Sequence, residues 1–450
     1  MPQILSFIPS AKTLWLLASG GFVTTIIAIL IPAPQGILIA VALTFAWYLL
    51  ILVLAGIDAG RNQTDRIQVS REPLGKLSIG RDNPVTITIQ AGQTSGKSRQ
   101  FNYQIRDGSP QDLPGTPELI AGQLEPGKSQ TSTYTVQPYQ RGEYEWQGIQ
   151  VRQLGIWGLA WQQWRVDAAQ TVPVYPDLIG LKALSIKLAL QSSGAMRQAR
   201  KRGIGTEFSE LREYNIGDDP RSIDWKATAR RNRPLIRLLE PEQEQTVIIL
   251  LDRGRLMTAN IQGYKRFDFG LNATLSLALT AIQRGDRVGV GVFDRYLTTW
   301  IPPQQGQNHF SRILDKVSRI QPELLEPDYL GAVTTILKQQ SRRALVVIIT
   351  DIIDDIASAE LLTALGRLTP RYLPFCVTLR DPQVDVRAHQ LATDIPGAYT
   401  QAVALDLLRQ RELAFANLKR KGVLVLDAPA TQISDRLVDR YIQIKSRNQL

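Results

Sequence analysis

From Thr13 through Ile57 the chain contains no Asp, Glu, Lys or Arg, a run of 45 residues. It is broken only by Ile31-Pro-Ala-Pro-Gln-Gly36. Prolines and a glycine at that point predict a turn. The flanking pieces, 13–31 and 37–57, are 19 and 21 residues long, close to the ~20 residues a helix needs to cross about 30 Å of hydrocarbon. The reading is a pair of antiparallel transmembrane helices. A cleaved signal peptide has one shorter apolar core, so the second run, with Trp47-Tyr-Leu-Leu50, argues against one.

Orientation follows from the flanks. Lys12 precedes the first span, and Arg61, Arg66, Arg71 and Lys76 follow the second, whereas the turn is uncharged. The positive-inside rule then places both ends, and the bulk of the chain, on the cytoplasmic side of the cell membrane. The lipid bilayer is thus the first expected partner. A single cysteine in 450 residues agrees with a reducing compartment. Cys376 sits in the apolar run Tyr372–Leu379, which suits a small buried hydrophobe. The two histidines, His309 and His389, stand in polar surroundings without a second histidine or cysteine nearby. That leaves little material for a zinc site or a histidine-based triad.

Residues 61–180 alternate, as in Val85-Thr-Ile-Thr-Ile89 and Thr131-Ser-Thr-Tyr-Thr-Val136, with turn clusters between. This predicts an antiparallel, immunoglobulin-like β-sandwich. The tryptophan-rich piece Trp146–Trp164 is read as core filling, with a ligand-stacking face as the alternative. After Gln245 the texture changes to the apolar runs Thr246–Leu251, Arg287–Phe293, Leu345–Ile349, Arg371–Leu379 and Val423–Leu426. Between and after them Phe267, Leu271, Leu275, Ala278 and Ile282, and later Ile433, Leu437, Tyr441 and Ile444, recur at helical spacing. Residues 246–450 should therefore form a doubly wound, mostly parallel α/β sheet covered on both faces.

Two of those strands end in an acid, Leu251-Asp252 and Thr350-Asp351, and Asp328 opens a helical run. Ligands sit beyond the carboxyl ends of such strands. Asp252, Asp328 and Asp351 are accordingly the candidate oxygen ligands for Mg²⁺ or Ca²⁺. Helix caps and surface acids are the plainer reading.

The connector, residues 181–245, holds the densest charge. Thr206 is placed to cap a short helix starting at Glu207, with Phe208 and Leu211 on one face and Gly217-Asp-Asp-Pro220 ending it. Arg200, Lys201 and Arg202 with Arg230, Arg231 and Arg233 could hold phosphates, but the acids between Glu207 and Glu240 oppose a nucleic-acid backbone. Gly203-Ile-Gly205 lacks the remaining elements of a nucleotide loop. Two readings stay open: an internal ion-pair network, and a protein-docking surface built on Trp225 with Arg212, Arg221, Asp224, Lys226, Arg230 and Arg231. Arg221 is expected to pair locally with Asp218, Asp219 or Asp224. The overall excess of 52 basic over 41 acidic residues, net +11, favours anionic partners without choosing among them.

Gly205-Thr-Glu-Phe, Leu211-Arg-Glu-Tyr, Gly217-Asp-Asp-Pro-Arg, Ile223-Asp-Trp-Lys-Ala-Thr-Ala-Arg and Glu240-Pro-Glu-Gln-Glu resemble the signature of the bacterial domain-of-unknown-function family 58. Arg141-Gly-Glu-Tyr, Gly155-Ile-Trp-Gly-Leu, Val174-Tyr-Pro and the paired spans extend the likeness. The resemblance implies a von Willebrand factor A-like C-terminal domain. Such domains hold a divalent metal with Asp-x-Ser-x-Ser, a Thr and an Asp. Here Gly254 and Leu256 stand where the serines would be, and Asp328 falls near the expected Thr. Arg253 and Arg255 are then the guanidinium groups expected to neutralise the acids, so no metal and no other cofactor is expected. The resemblance further implies a non-catalytic adaptor acting with a MoxR-type AAA+ ATPase on an unknown client protein. The alternatives are a metal-dependent phosphate-chemistry enzyme using the strand-end acids, and a membrane-surface scaffold.

Overall fold

The computed structural model describes residues 7–30, 35–61, 66–92, 100–115, 117, 119–187, 207–240, 244–352 and 358–447. Two compact units divide the chain, Met1–Tyr175 and Pro176–Leu450.

In the first unit the charge-free run forms α1 (Ala11–Leu30) and α2 (Gln35–Arg61). Both are long and apolar enough to cross a membrane. α1 begins two residues before its predicted span and α2 extends past its span at both ends, because flanking residues continue a helix already nucleated by the apolar run. Gln35 and Gly36 belong to α2 rather than to the turn, while 31–34 lie outside the described residues. The helices meet through small residues: the Thr44 hydroxyl donates to Thr24 Oγ1 at 2.7 Å. Trp47 Nε1 donates to the Leu16 carbonyl at 2.9 Å, its indole lying against Gly20 where a Cβ would collide. Their outward side chains, including Phe22, Leu38 and Phe45, are exposed.

The alternating region forms eleven strands with the N-terminal β1 (Phe7–Pro9): β2 (Gln68–Arg71), β3 (Leu77–Ser78), β4 (Asn83–Gln90), β5 (Phe101–Arg106), β6 (Ile120–Leu124), β7 (Ser129–Val136), β8 (Gly142–Trp146), β9 (Ile149–Leu154), β10 (Ala160–Val166) and β11 (Gln170–Tyr175). They lie in three sheets, ordered β1-β10-β9-β5-β6, β2-β4-β7 and β3-β11-β8. Period-2 alternation buries Val85, Ile87 and Ile89 of β4 and leaves Thr86 and Thr88 half-buried. Ile87 and Ile89 then share one core with Phe101, Tyr103, Ile105, Ile149 and Val151 of the facing sheet. Arg71 is buried with Asp107, Nη1 to Oδ1 at 2.6 Å, and Tyr134 donates to the other carboxylate oxygen at 2.6 Å. Burial and that acid push the Tyr134 hydroxyl pKa up.

The second unit begins with helix α3 (178–187), whose Leu181 packs into the core below. The connector then forms β12 (Glu207–Glu213), a 3₁₀ turn (Pro220–Ser222), α4 (Trp225–Arg231) and β13 (Leu235–Glu240). The helix expected from Glu207 is therefore a strand. β12 pairs antiparallel with β13, from Glu207 opposite Glu240 to Glu213 opposite Leu235, and long-range pairing overrides the local helical spacing. Thr206, its expected cap, lies outside the described residues.

The remaining elements are β14 (Thr246–Asp252), the short strands β15 (Asn260–Ile261) and β16 (Tyr264–Lys265), α5 (Arg266–Gln283), β17 (Arg287–Phe293), β18 (Leu297–Gln304), α6 (Gln307–Val317), α7 (Tyr329–Gln339), β19 (Leu345–Thr350), α8 (Ala359–Gly366), β20 (Leu373–Arg380), α9 (Pro382–His389), α10 (Ile395–Arg420), β21 (Leu424–Pro429) and α11 (Ile433–Ser446). Their sheet runs β18-β17-β14-β19-β20-β21, parallel throughout except for the antiparallel β17–β18 pair. Alternate residues of β14 feed opposite faces. Val247, Ile249 and Leu251 pack with α5, α6 and α11, and Ile248 and Leu250 with α7, α8 and α10. The helical stripes on α5 and α11 are buried as their spacing requires. The sheet is thus mixed, mostly parallel and covered on both faces. His309, expected in polar surroundings, is buried instead, its Nε2 2.7 Å from the Val288 carbonyl. His389 sits exposed in the last turn of α9 with Nδ1 2.8 Å from the Asp385 carbonyl.

Candidate functional site

β14 and β19 are parallel neighbours with Leu251 opposite Ile349, so Asp252 and Thr350-Asp351 leave the sheet at the same edge. Asp252 is wholly buried. Its Oδ1 accepts from the Gly254 amide at 2.7 Å, and its Oδ2 accepts from the Thr350 hydroxyl at 2.6 Å and the Tyr329 hydroxyl at 3.0 Å. Burial raises its pKa from 3.8 to about 6 against those hydrogen bonds, with the nearby Asp351 charge adding to the rise. Asp351 is gripped from two sides, by Arg411 Nη1 on Oδ1 and Arg266 Nη1 on Oδ2, each at 2.7 Å. Arg411 also reaches Asp427 at 2.8 Å and donates to the Ile352 carbonyl. Asp328 caps α7, accepting from the Gly331 amide at 2.6 Å. That cap places Tyr329, the next residue, against Asp252.

The three predicted acids are thus assigned separate structural work. A divalent cation needs oxygen lone pairs converging on one point. Here the Asp252 carboxylate is met by three donors, Asp351 faces two guanidinium groups, and Gly254 and Leu256 bring no hydroxyl. The residues present do not fit such a cation. Among the described residues no group of three or more His, Cys, Asp or Glu side chains is placed to hold one. The neutralising arginines also differ from those expected. Arg253 pairs with Asp294 at 2.5 Å and Glu323 at 3.0 Å, and Arg255 pairs with Glu326 at 2.7 Å. The guanidinium groups on Asp351 come from the distant Arg266 and Arg411. Arg411 did leave a trace in sequence: it shares the buried face of α10 with Ala404, Ala414, Phe415 and Leu418, an arginine on an apolar stripe. Cys376 lies beneath this network, fully buried, its thiol pKa pushed up to about 12 by desolvation.

The connector forms a small arm in which Glu213, Asp218, Asp219 and Asp224 are engaged internally. Asp218 accepts from the Asn215 amide and from Arg212 Nη2, both at 2.8 Å, and its pKa is held below the ordinary carboxylate value by that amide first. Asp219 caps the 3₁₀ turn through the Arg221 amide. Asp224 caps α4 through the Ala227 amide at 3.1 Å and pairs with Arg237 at 2.6 Å; its pKa is lowered chiefly by the Arg237 hydrogen bond. Glu213 pairs with Arg233. Of the seven residues assigned to docking, Arg212 and Asp224 therefore hold the arm together. Trp225, Arg221, Lys226, Arg230 and Arg231 are exposed, Trp225 to 71%. Arg221 does not take the expected local ion pair: Arg212 and Arg237 occupy Asp218 and Asp224, and Asp219 accepts from the Arg221 backbone amide instead. Among the described residues no ion pair engages Arg221, Lys226, Arg230 or Arg231. Ile216, at the turn before the positive-φ residue Gly217, is fully exposed beside them in sequence. Arg200, Lys201 and Arg202 lie outside the described residues.

Residues 210–386, spanning the arm and most of the α/β sheet, match the family described as protein of unknown function DUF58. Over that stretch the chain is similar to DUF58 proteins. It is 24% identical over 183 residues to the uncharacterized protein Rv1480 of Mycobacterium tuberculosis, covering 40% of this chain and 57% of that one. It is 22% identical over 224 residues to the uncharacterized protein YeaD of Bacillus subtilis, covering 50% and 54%. The chain thus spans little more than half the length of these curated relatives. Among solved structures, the conserved hypothetical protein BatB of Bacteroides thetaiotaomicron aligns with 45% of this chain and 100% of its own, at 12% identity and a TM-score of 0.31. A FixG-related protein of Vibrio parahaemolyticus aligns with 24% and 95%, at 12% identity and a TM-score of 0.16.

Proposed function

We propose that this protein is a membrane-anchored adaptor that binds protein partners through the arm and catalyses nothing itself. The observation that carries the reading is the outer face of the arm: with Asp218, Asp224 and Glu213 paired to arginines of the arm itself, Trp225 faces solvent together with Arg221, Lys226, Arg230 and Arg231. Aromatic and arginine side chains dominate interface hot spots, and Trp225 left exposed in water serves no core. The partner of choice is a MoxR-type AAA+ ATPase, on the strength of the family resemblance, with an unknown client protein delivered or matured by the pair. The α/β sheet is read as a von Willebrand factor A-like domain whose metal edge is rebuilt as an Arg–Asp–Tyr–Thr network, and the β-rich region as an immunoglobulin-like sandwich. The occupied state of Asp252 and Asp351 weighs against the metal-dependent phosphate-chemistry alternative.

The anchor is the α1–α2 pair, crossing the cell membrane twice with the bulk of the chain in the cytoplasm. Arg71 is buried on Asp107. Lys12, Arg61, Arg66 and Lys76 still outweigh the uncharged turn.

The test is affinity recovery from detergent-solubilised membranes with the Trp225→Ala and Arg230→Ala/Arg231→Ala variants. Loss of the co-purified ATPase with an unchanged melting temperature is expected. A large fall in melting temperature in the same variants would make these residues structural and would end the docking assignment.

A further inference from the structure

The loop between β9 and β10, Gly155-Ile-Trp-Gly-Leu159, is fastened to both apolar helices at one end of the pair. The Trp157 and Leu159 amides each donate to the Asp58 carboxylate at 2.9 Å, in the last turn of α2. Asp58 is wholly buried by this grip. Any side chain at Gly155 would collide with that carboxylate, which explains the glycine. From α1, the Ser10 amide and the Thr13 hydroxyl donate to the Leu159 carbonyl, and the Ser10 hydroxyl donates to the Gly158 carbonyl at 2.5 Å. β1, immediately before α1, adds to the edge of β10.

Most of the loop's polar backbone is therefore satisfied and Leu159 is buried, yet the other two large side chains are turned outward. Ile156 is 47% and Trp157 42% exposed. Leaving them in water forfeits apolar area, and at an interfacial depth the Trp157 indole N–H stays within reach of water and lipid oxygens. Their level is set by the helices. The charge-free run begins at Thr13 and ends at Ile57, so the residues gripping the loop, Ser10, Thr13 and Asp58, mark where hydrocarbon gives way to headgroups. Arg61 lies over the Trp157 ring at 5.1 Å, and Lys12 lies against Gly158. Tryptophan prefers the membrane interface because its ring is apolar and its N–H polar, and basic side chains at that depth meet lipid phosphates.

We propose that the Ile156-Trp157 loop is a third membrane contact, seated in the headgroup layer and flanked by Lys12 and Arg61 for anionic phospholipid. This rests on the reading of α1 and α2 as membrane-spanning. Its consequence is that the β-sheets of this unit are held at the bilayer surface in one orientation.

The experiment places a nitroxide on Ile156→Cys in the full chain; the native Cys376 is buried and unreactive. Val41→Cys, inside the charge-free run in the first part of α2, and Ile216→Cys on the arm serve as references. All are reconstituted in phosphatidylcholine vesicles with and without one quarter phosphatidylglycerol, and collision with oxygen and with a water-soluble nickel complex is measured. Position 156 is expected to be several-fold less accessible to nickel than 216, intermediate in depth between 216 and 41, and deeper with the anionic lipid. Nickel access at 156 equal to that at 216, while 41 reads as hydrocarbon, overturns the loop contact alone. An aqueous reading at 41 overturns the spanning helices and the loop contact together. No response to phosphatidylglycerol overturns the anionic-lipid preference.

Discussion

A carboxylate that keeps its proton to unusually high pH leaves a signature in stability, and Asp252 is such a group. Its pKa of about 6 in the folded chain stands above the ordinary 3.8. The folded state therefore binds the proton more tightly than the unfolded one. The contribution from Asp252 is fully present below pH about 4 and is lost as pH rises through 6. We expect it to fall by on the order of 2–3 kcal/mol across that window, read as the slope of unfolding free energy in detergent. Asp252→Asn should flatten that slope whatever it does to absolute stability. Arg411 makes the opposite case, since it is the charge that other charges depend on. Among the described residues, Arg411→Met leaves Asp351 with Arg266 as its charged partner beside the Ile352 amide, and Asp427 with the longer Arg380 contact at 3.4 Å and the Thr378 hydroxyl at 2.8 Å. A loss of about 3–5 kcal/mol follows from stranding buried charge. Chemical denaturation checks it, and adding Asp351→Asn to Arg411→Met should recover part of the loss.

Among the elements, α5 is the one the core leans on. Phe267, Leu271, Leu275, Ala278 and Ile282 all face the sheet, and Leu275 is fully buried. Leu275→Ala should cost about 2–5 kcal/mol through the cavity it leaves, measured by urea unfolding. α4 is held differently. It has no buried residue, and its start depends on the Asp224 cap. Asp224→Ala should raise amide exchange across Trp225–Arg231 and reduce partner recovery while leaving exchange in α5 unchanged. Equal loosening of both helices would mean that the arm and the sheet unfold together.

At the scale of the whole molecule, the decisive quantity is which side of a membrane each end occupies. A cysteine at Gln35 should react with an impermeant maleimide on intact cells, and one at Ile216 only after permeabilisation. The opposite pattern would put the arm outside the cell and beyond the reach of a cytoplasmic ATPase. Ile216 is fully exposed, so failure of its label to react in permeabilised cells would point to a covered arm rather than to a buried one.

The sequence by itself determined everything that depends on the spacing of apolar residues. Charge-free length produced two helices, and alternation put Val85, Ile87 and Ile89 on one face of a strand. Runs bounded by turns made a mostly parallel sheet, because burial follows period. Asp252, Thr350 and Asp351 were legible at strand ends for the same reason. What the tertiary structure decided was partnership. No local pattern told Glu207–Glu213 to become a strand, since its helical spacing lost to backbone pairing with Leu235–Glu240. Nor did any local pattern choose Arg266 and Arg411 over the adjacent Arg253 and Arg255 to face Asp351. A guanidinium reaches whichever carboxylate the chain brings within about 3 Å, and parallel strand order with a returning helix sets that distance. The split among the tryptophans has the same origin: Trp146 is core, whereas Trp157 is held outward because its own amide is spent on Asp58.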